Sequence, residues 1–109
     1  MAITTLFAEI EAWMQKRGLG WAHVQQVLLG NRYGEKKRSV PEVLLTYDGF
    51  RNALSYSFDD GYGGEEAHDI YVYFEDWILF KSVYDGSECL CEIPRNPNHD
   101  YLPQSYGGG

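Results

Sequence analysis

Cys89 and Cys91 stand two residues apart in the run SECLCEI. An extended backbone turns both thiols to one side. Paired thiols beside a histidine are the raw material of a zinc site or a Cys–His nucleophile. Yet His23, His68 and His99 fall in three separate segments. A structural zinc site draws four ligands, usually from two paired groups, and one C-x-C supplies half of them. A nucleophilic thiol needs a depressed pKa, and the carboxylates of Glu88 and Glu92 push the other way. Buried free thiols are the preferred reading, because Cys is among the most buried residue types. No GxSxG elbow, HExxH pair or Walker loop occurs. The expectation is no catalytic residue, no metal and no cofactor: not an enzyme.

The stretch 59–69 holds Asp59, Asp60, Glu65, Glu66 and Asp69 among three glycines. Loop carboxylates can bind Ca²⁺, but the spacing matches neither an EF-hand loop nor the nonapeptide calcium repeat. Glycines 61, 63 and 64 would suit a phosphate cradle, but the surrounding acids repel phosphate. A solvated acidic loop, or one that meets a partner, fits better. Tyr62 is then an aromatic anchor on a charged tip.

Arg32, Lys36, Lys37 and Arg38, with Tyr33, form a basic connector. It invites a nucleic-acid reading in which the preceding helices form a helix-turn-helix and His23, Gln25 and Gln26 read bases. The charge distribution argues against it. Of the net −7, residues 1–38 carry six basic groups and three acids, while residues 39–109 carry three basic groups and thirteen acids. A body that anionic weakens the counterion-release term that dominates DNA affinity. It attracts basic protein surfaces instead.

These groups need a scaffold, and the plainest part of it is 69–93. Ile70, Val72 and Phe74 alternate with Tyr71 and Tyr73. Glu75-Asp76 interrupts, Trp77 to Phe80 resumes, and Asp85-Gly86 turns the chain into Ser87 to Ile93. Period-two alternation cut by Asp-Gly predicts a three-stranded antiparallel meander. Upstream, Thr4 or Thr5 can cap a helix carrying Leu6, Ile10, Trp13, Met14 and Arg17 at helical spacing, with Gly18 to end it. Trp21, Val24, Val27 and Leu28 predict a second helix, closed by Gly30-Asn31. Residues 40–47 read as a strand that Pro41 confines to a start or an edge. Asp48-Gly49 reads as a hairpin turn, and Phe50, Leu54, Tyr56 and Phe58 as the next strand.

The sum is an α+β domain over 1–94: an N-terminal helical hairpin packed on an antiparallel sheet of about five strands, ααβββββ. Both hairpin tryptophans are expected against one sheet face, and the tyrosines and acids on the other. Residues 95–109, with two prolines after Pro94 and no periodicity, read as an extended or partly disordered tail. Its last three residues, Gly107 to Gly109, resemble the glycine end of ubiquitin-like modifiers, but the element order is not the ββαββ of that family.

One domain of 109 residues carries a single small core. No apolar run approaches the ~20 residues that span a bilayer. No charged n-region with an h-region opens the chain, and two cysteines make no disulfide framework, so a cytoplasmic protein is expected. Nine tyrosines and three tryptophans are more rings than one core can take. Tyr gives large contact area with little entropy to lose. In size and charge, though in no motif, the chain resembles small acidic inhibitors of CRISPR and restriction systems carried by phages. That resemblance implies a non-enzymatic, nucleic-acid-mimicking binding protein that occupies the basic, nucleic-acid-binding surface of a partner protein. Asp59, Asp60, Glu65, Glu66 and Asp69 would speed encounter, and Tyr62, Tyr71 and Tyr73 would supply contact energy. No direct contact with nucleic acid or membrane is expected. The alternative is a nucleic-acid-binding regulator using the helical hairpin and residues 32–38. A homodimer is open on two grounds: the aromatic sheet face suits one, and an edge strand from Val40-Pro41 can pair across a two-fold axis, although Pro41 works against it.

Overall fold

The computed structural model describes residues 3–32, 34–59, 67–84 and 87–95. The order is β1 (Ile3–Thr5), α1 (Leu6–Gln15), one 3₁₀ turn (Trp21–His23), β2 (Gln26–Leu29), β3 (Glu42–Leu44), α2 (Tyr47–Leu54), β4 (Ser57–Asp59), β5 (Ile70–Tyr73), β6 (Trp77–Tyr84) and β7 (Ser87–Pro94). The architecture is mixed α+β. An antiparallel five-stranded sheet runs β3-β2-β5-β6-β7, and β1 pairs with β4 in a separate two-stranded sheet.

The first helix forms where its spacing placed it. The Thr5 hydroxyl accepts the Ala8 N–H at 3.0 Å and so satisfies an orphan donor of the first turn. Leu6, Ile10, Trp13 and Met14 make its buried stripe. It ends as Leu19 N–H returns to the Met14 carbonyl at 2.9 Å. That reversal sends Gly18 to φ 68°, where glycine alone is unstrained. The meander of β5, β6 and β7 also stands, with Val72 opposite Leu79 and Leu79 opposite Glu92. The turn expected at Asp85-Gly86 lies outside the described residues.

The ααβββββ order does not stand. The expected second helix is the 3₁₀ turn followed by β2, an inner strand whose backbone is bonded to β3 on one side and β5 on the other. Its Val27 and Leu29 are buried. A short apolar run of this kind satisfies helical and extended patterns equally, and two flanking strands decide it. The strand expected over 40–47 is reduced to β3 at the sheet edge, with Pro41 just before it, as proline's missing N–H requires. The strand expected from Phe50 is α2. The Thr46 hydroxyl accepts the Gly49 N–H at 3.1 Å, so Asp48-Gly49 is the first turn of a capped helix rather than a hairpin loop. A Cβ on Gly49 would sit 3.1 Å from that same hydroxyl oxygen. Phe50 and Leu54, four apart, are its buried stripe.

The sheet count of five therefore survives with different members. One core joins Leu6, Ile10, Trp13 and Met14 of α1 and Phe50 and Leu54 of α2 to Val27, Leu29, Leu44, Ile70, Val72 and Leu79 of the sheet. Trp13 packs against Phe74, centroids 5.0 Å apart. Trp21 instead stacks between Phe7 at 4.6 Å and Phe50 at 5.6 Å, wedged against the helices. The expected tail lies outside the described residues beyond Arg95.

Candidate protein-binding surface

Strand alternation sends every second side chain away from the helices. Cross-strand register then lays those side chains in rows. One row runs Val43, Leu28, Tyr71, Phe80, Cys91, and the next Gln26, Tyr73, Ile78, Ile93. Ser82 and Cys89 face each other beyond them. Tyr71 is 52% exposed, Val43 51% and Ile93 45%. No charged side chain belongs to these rows among the described residues. The acids stand at the ends: Asp69 before β5, and Glu75 and Asp76 in the turn after it, all exposed.

This corrects the expectation that tyrosines and acids share the open face. The reason is the length of β5, which stops at Tyr73 and leaves Glu75 in the turn. The result is a face whose rows are uncharged, bounded by the carboxylates of Asp69, Glu75 and Asp76 and by the Arg95 guanidinium, on a chain of net charge −7. Exposed aromatic and aliphatic side chains grouped in this way mark an interaction site more often than scattered ones do. The two tyrosine rings meet edge to face, centroids 6.5 Å apart. The Arg95 guanidinium lies over Tyr73 at 5.4 Å and donates to the Phe74 carbonyl at 2.8 Å, which holds one end of the face rigid. At the other end, Leu28, Gly30, Pro41, Asp69, Tyr71 and Phe80 line a hollow of about 380 Å³.

Of the residues expected to meet a partner, Asp69, Tyr71 and Tyr73 are brought together here. Asp59 ends β4 with its backbone opposite Ile3, in the other sheet. Asp60, Tyr62, Glu65 and Glu66 lie outside the described residues. Asp69 is also a structural junction. Its N–H donates to the Asn31 carbonyl and its carbonyl accepts the Gly30 N–H, a β-bulge of two residues against one. The approach is close: a Cβ on Gly30 would lie 3.3 Å from both the Cβ and the carbonyl oxygen of Asp69, so a larger residue fits only if Asp69 shifts by a few tenths of an ångström. The Asp69 carboxylate pairs with the buried Lys81 ammonium at 3.2 Å.

Sequence reasoning missed the polar centre next to this junction. His68 is 5% exposed. The Tyr56 hydroxyl accepts its backbone N–H at 2.8 Å and lies 2.7 Å from its Nδ1, and Nε2 lies 2.9 Å from Glu35. With its oxygen taken as acceptor by the backbone, the hydroxyl donates to Nδ1, and the imidazole proton sits on Nε2 facing the carboxylate. Arg32 stacks over the Tyr56 ring at 4.1 Å. Burial holds the His68 pKa below its ordinary value, with Arg38 and Arg32 adding to the effect and Glu35 opposing it. Three residues from separate segments leave no sequence signal for such a cluster.

The thiols are not joined to it. Cys89 is exposed and Cys91 half-buried, so the buried pair expected from composition is corrected: β7 is an edge strand, and its outer side chains face the open side of the sheet. The Cys91 thiol is pushed up by burial, then by Cys89. Among the described residues no three His, Cys, Asp or Glu side chains gather as a metal would require. The helix-turn-helix reading loses its recognition helix, since Gln26 is in β2 and Gln25 is bonded to β5. In the basic connector, Arg38 is paired with Glu42 at 3.1 Å and Arg32 is stacked on Tyr56, leaving Lys36 and Lys37 exposed. No helix among the described residues is long and apolar enough to cross a membrane.

No family model, curated protein or solved structure matches the chain.

Proposed function

We propose that this chain is a small non-enzymatic binding protein that docks through the open face of its five-stranded sheet. Its partner is a protein with a basic, nucleic-acid-binding surface, and occupation of that surface inhibits the partner, in the manner of anti-CRISPR or anti-restriction proteins. The observation that supports this most is the uncharged row around Tyr71, 52% exposed, with its nearest charges, Asp69, Glu75, Asp76 and the Arg95 guanidinium, at the ends of the face. An aromatic centre and a charged rim is the anatomy of a protein interface. The rim acids and those of 59–66 steer a basic partner, and the tyrosines hold it.

The experiment is affinity capture from a nucleic-acid-rich bacterial lysate at low and high salt, with and without nuclease, followed by assay of the captured protein's DNA or RNA binding. The reading requires a partner that survives nuclease, is loosened by salt, loses nucleic acid when the chain is added, and is not captured by a Tyr71→Ala, Tyr73→Ala variant. Recovery of nucleic acid alone sinks it. The nucleic-acid-binding alternative would then rest on Lys36 and Lys37, without a recognition helix.

A further inference from the structure

The outer edge of β3 is an open strand edge with apolar flanks. Val40 is 71% exposed, Val43 51% and Leu45 66%. Which backbone groups it presents follows from the ladder. Facing pairs in an antiparallel sheet alternate between bonded and non-bonded. Gly30 donates to Asp69 at 2.7 Å, so Gly30 is turned toward β5. Leu28 and Gln26 follow it at intervals of two. Val27 and Leu29 are then turned toward β3, where their register partners are Leu44 and Glu42. Hence Pro41, Val43 and Leu45 turn their backbones outward, and no partner meets them among the described residues. An exposed edge of this kind is a template for another strand.

We infer that β3 is a homodimerisation edge: two copies of this chain pair their β3 strands antiparallel about Val43. This register suits a second copy in three ways. The Val43 N–H and carbonyl of each copy bond those of the other, and each Leu45 N–H reaches the other copy's Pro41 carbonyl. Proline's missing N–H falls at the end of the pairing, where it costs one bond per copy and breaks none inside it. Second, Glu42 faces Leu44 of the second copy, so no like charges oppose each other between two chains of net charge −7. Third, continuing antiparallel past the strand carries Lys36, Lys37 and Arg38 of one copy toward Asp48 at the start of α2 in the other. The two five-stranded sheets become one, and the rows through Val43, Leu28 and Tyr71 run on across the two-fold axis. The open face stays open in this dimer, so the inference does not rest on the proposed function.

Sedimentation velocity tests it, in a concentration series reaching about 100 µM, where a micromolar dimer is nearly saturated. The wild-type chain should reach twice its mass of 12.5 kDa. Val43→Lys places two ammonium groups side by side at the axis and should sediment as a monomer throughout. Leu45→Lys, at a more exposed position, should raise the dimer Kd by about tenfold or more. Tyr71→Lys should leave the dimer intact. Circular dichroism of each variant checks that it is folded. A wild-type chain that stays monomeric overturns the inference and leaves the edge to a partner's strand. A Val43→Lys dimer as tight as wild type, or a dimer dissolved by Tyr71→Lys, also overturns it.

Discussion

The hydroxyl of Tyr56 meets both the backbone N–H and the Nδ1 of His68, at 2.8 and 2.7 Å. One oxygen therefore fixes the position of residue 68 and the tautomer of its ring. Tyr56→Phe leaves the His68 N–H and Nδ1 without that partner in a buried setting, at a cost of about 1–3 kcal/mol. Urea denaturation measures it. A loss within error of zero would mean that water replaces the hydroxyl without penalty.

His68 also gives stability a pH dependence. Its folded pKa lies below the ordinary 6.5, chiefly through burial. Near pH 6.5 and below, the unfolded chain binds a proton that the folded chain resists. The contribution of His68 is therefore full above pH 6.5 and is lost as pH falls through the lowered folded value. Thermal melts in that range should show falling stability that is less steep in His68→Gln. The imidazole resonances should titrate below 6.5, and a midpoint above it would contradict the burial argument.

The helical assignment of Tyr47–Leu54 rests on Thr46. Thr46→Ala removes the acceptor for Gly49 N–H and should cost about 0.5–2 kcal/mol. Thr46→Ser, which keeps the hydroxyl, should recover most of it. A hairpin at Asp48-Gly49 would respond equally to both substitutions, so chemical denaturation of the pair separates the two structures.

How legible this was in the sequence depends on what each pattern competed with. Ile70, Val72, Tyr71 and Tyr73 alternate without a helical rival, and both the strand and its open tyrosine face follow from them. Phe50, Leu54, Tyr56 and Phe58 fit period two and period four together. The deciding group was the Thr46 side chain, outside the apolar pattern. Val27, Leu28 and Leu29 carry no period at all, because β2 is covered by neighbours on both edges and packed on its inner face. The face around Tyr71 was legible except for the placing of Glu75, which needed the end of β5. The Tyr56–His68–Glu35 centre was not legible, since contact between segments separated by 12 and 33 residues is a property of the fold.

The pairing of Thr4 with Phe58, and of Arg17 with Glu92, has a consequence for how the protein is made. The first helix is local and can form early, but the strand that pairs with β1, just before it, is synthesised some fifty residues later, and the ionic partner of Arg17, just after it, lies near the end of β7. A ribosome releasing this chain at about 5–20 residues per second exposes the apolar stripe of α1 for seconds before either arrives. Folding governed by such distant contacts is slow for a domain of this size. A nascent chain stalled before Glu92 should be digested by protease, while the released chain resists it.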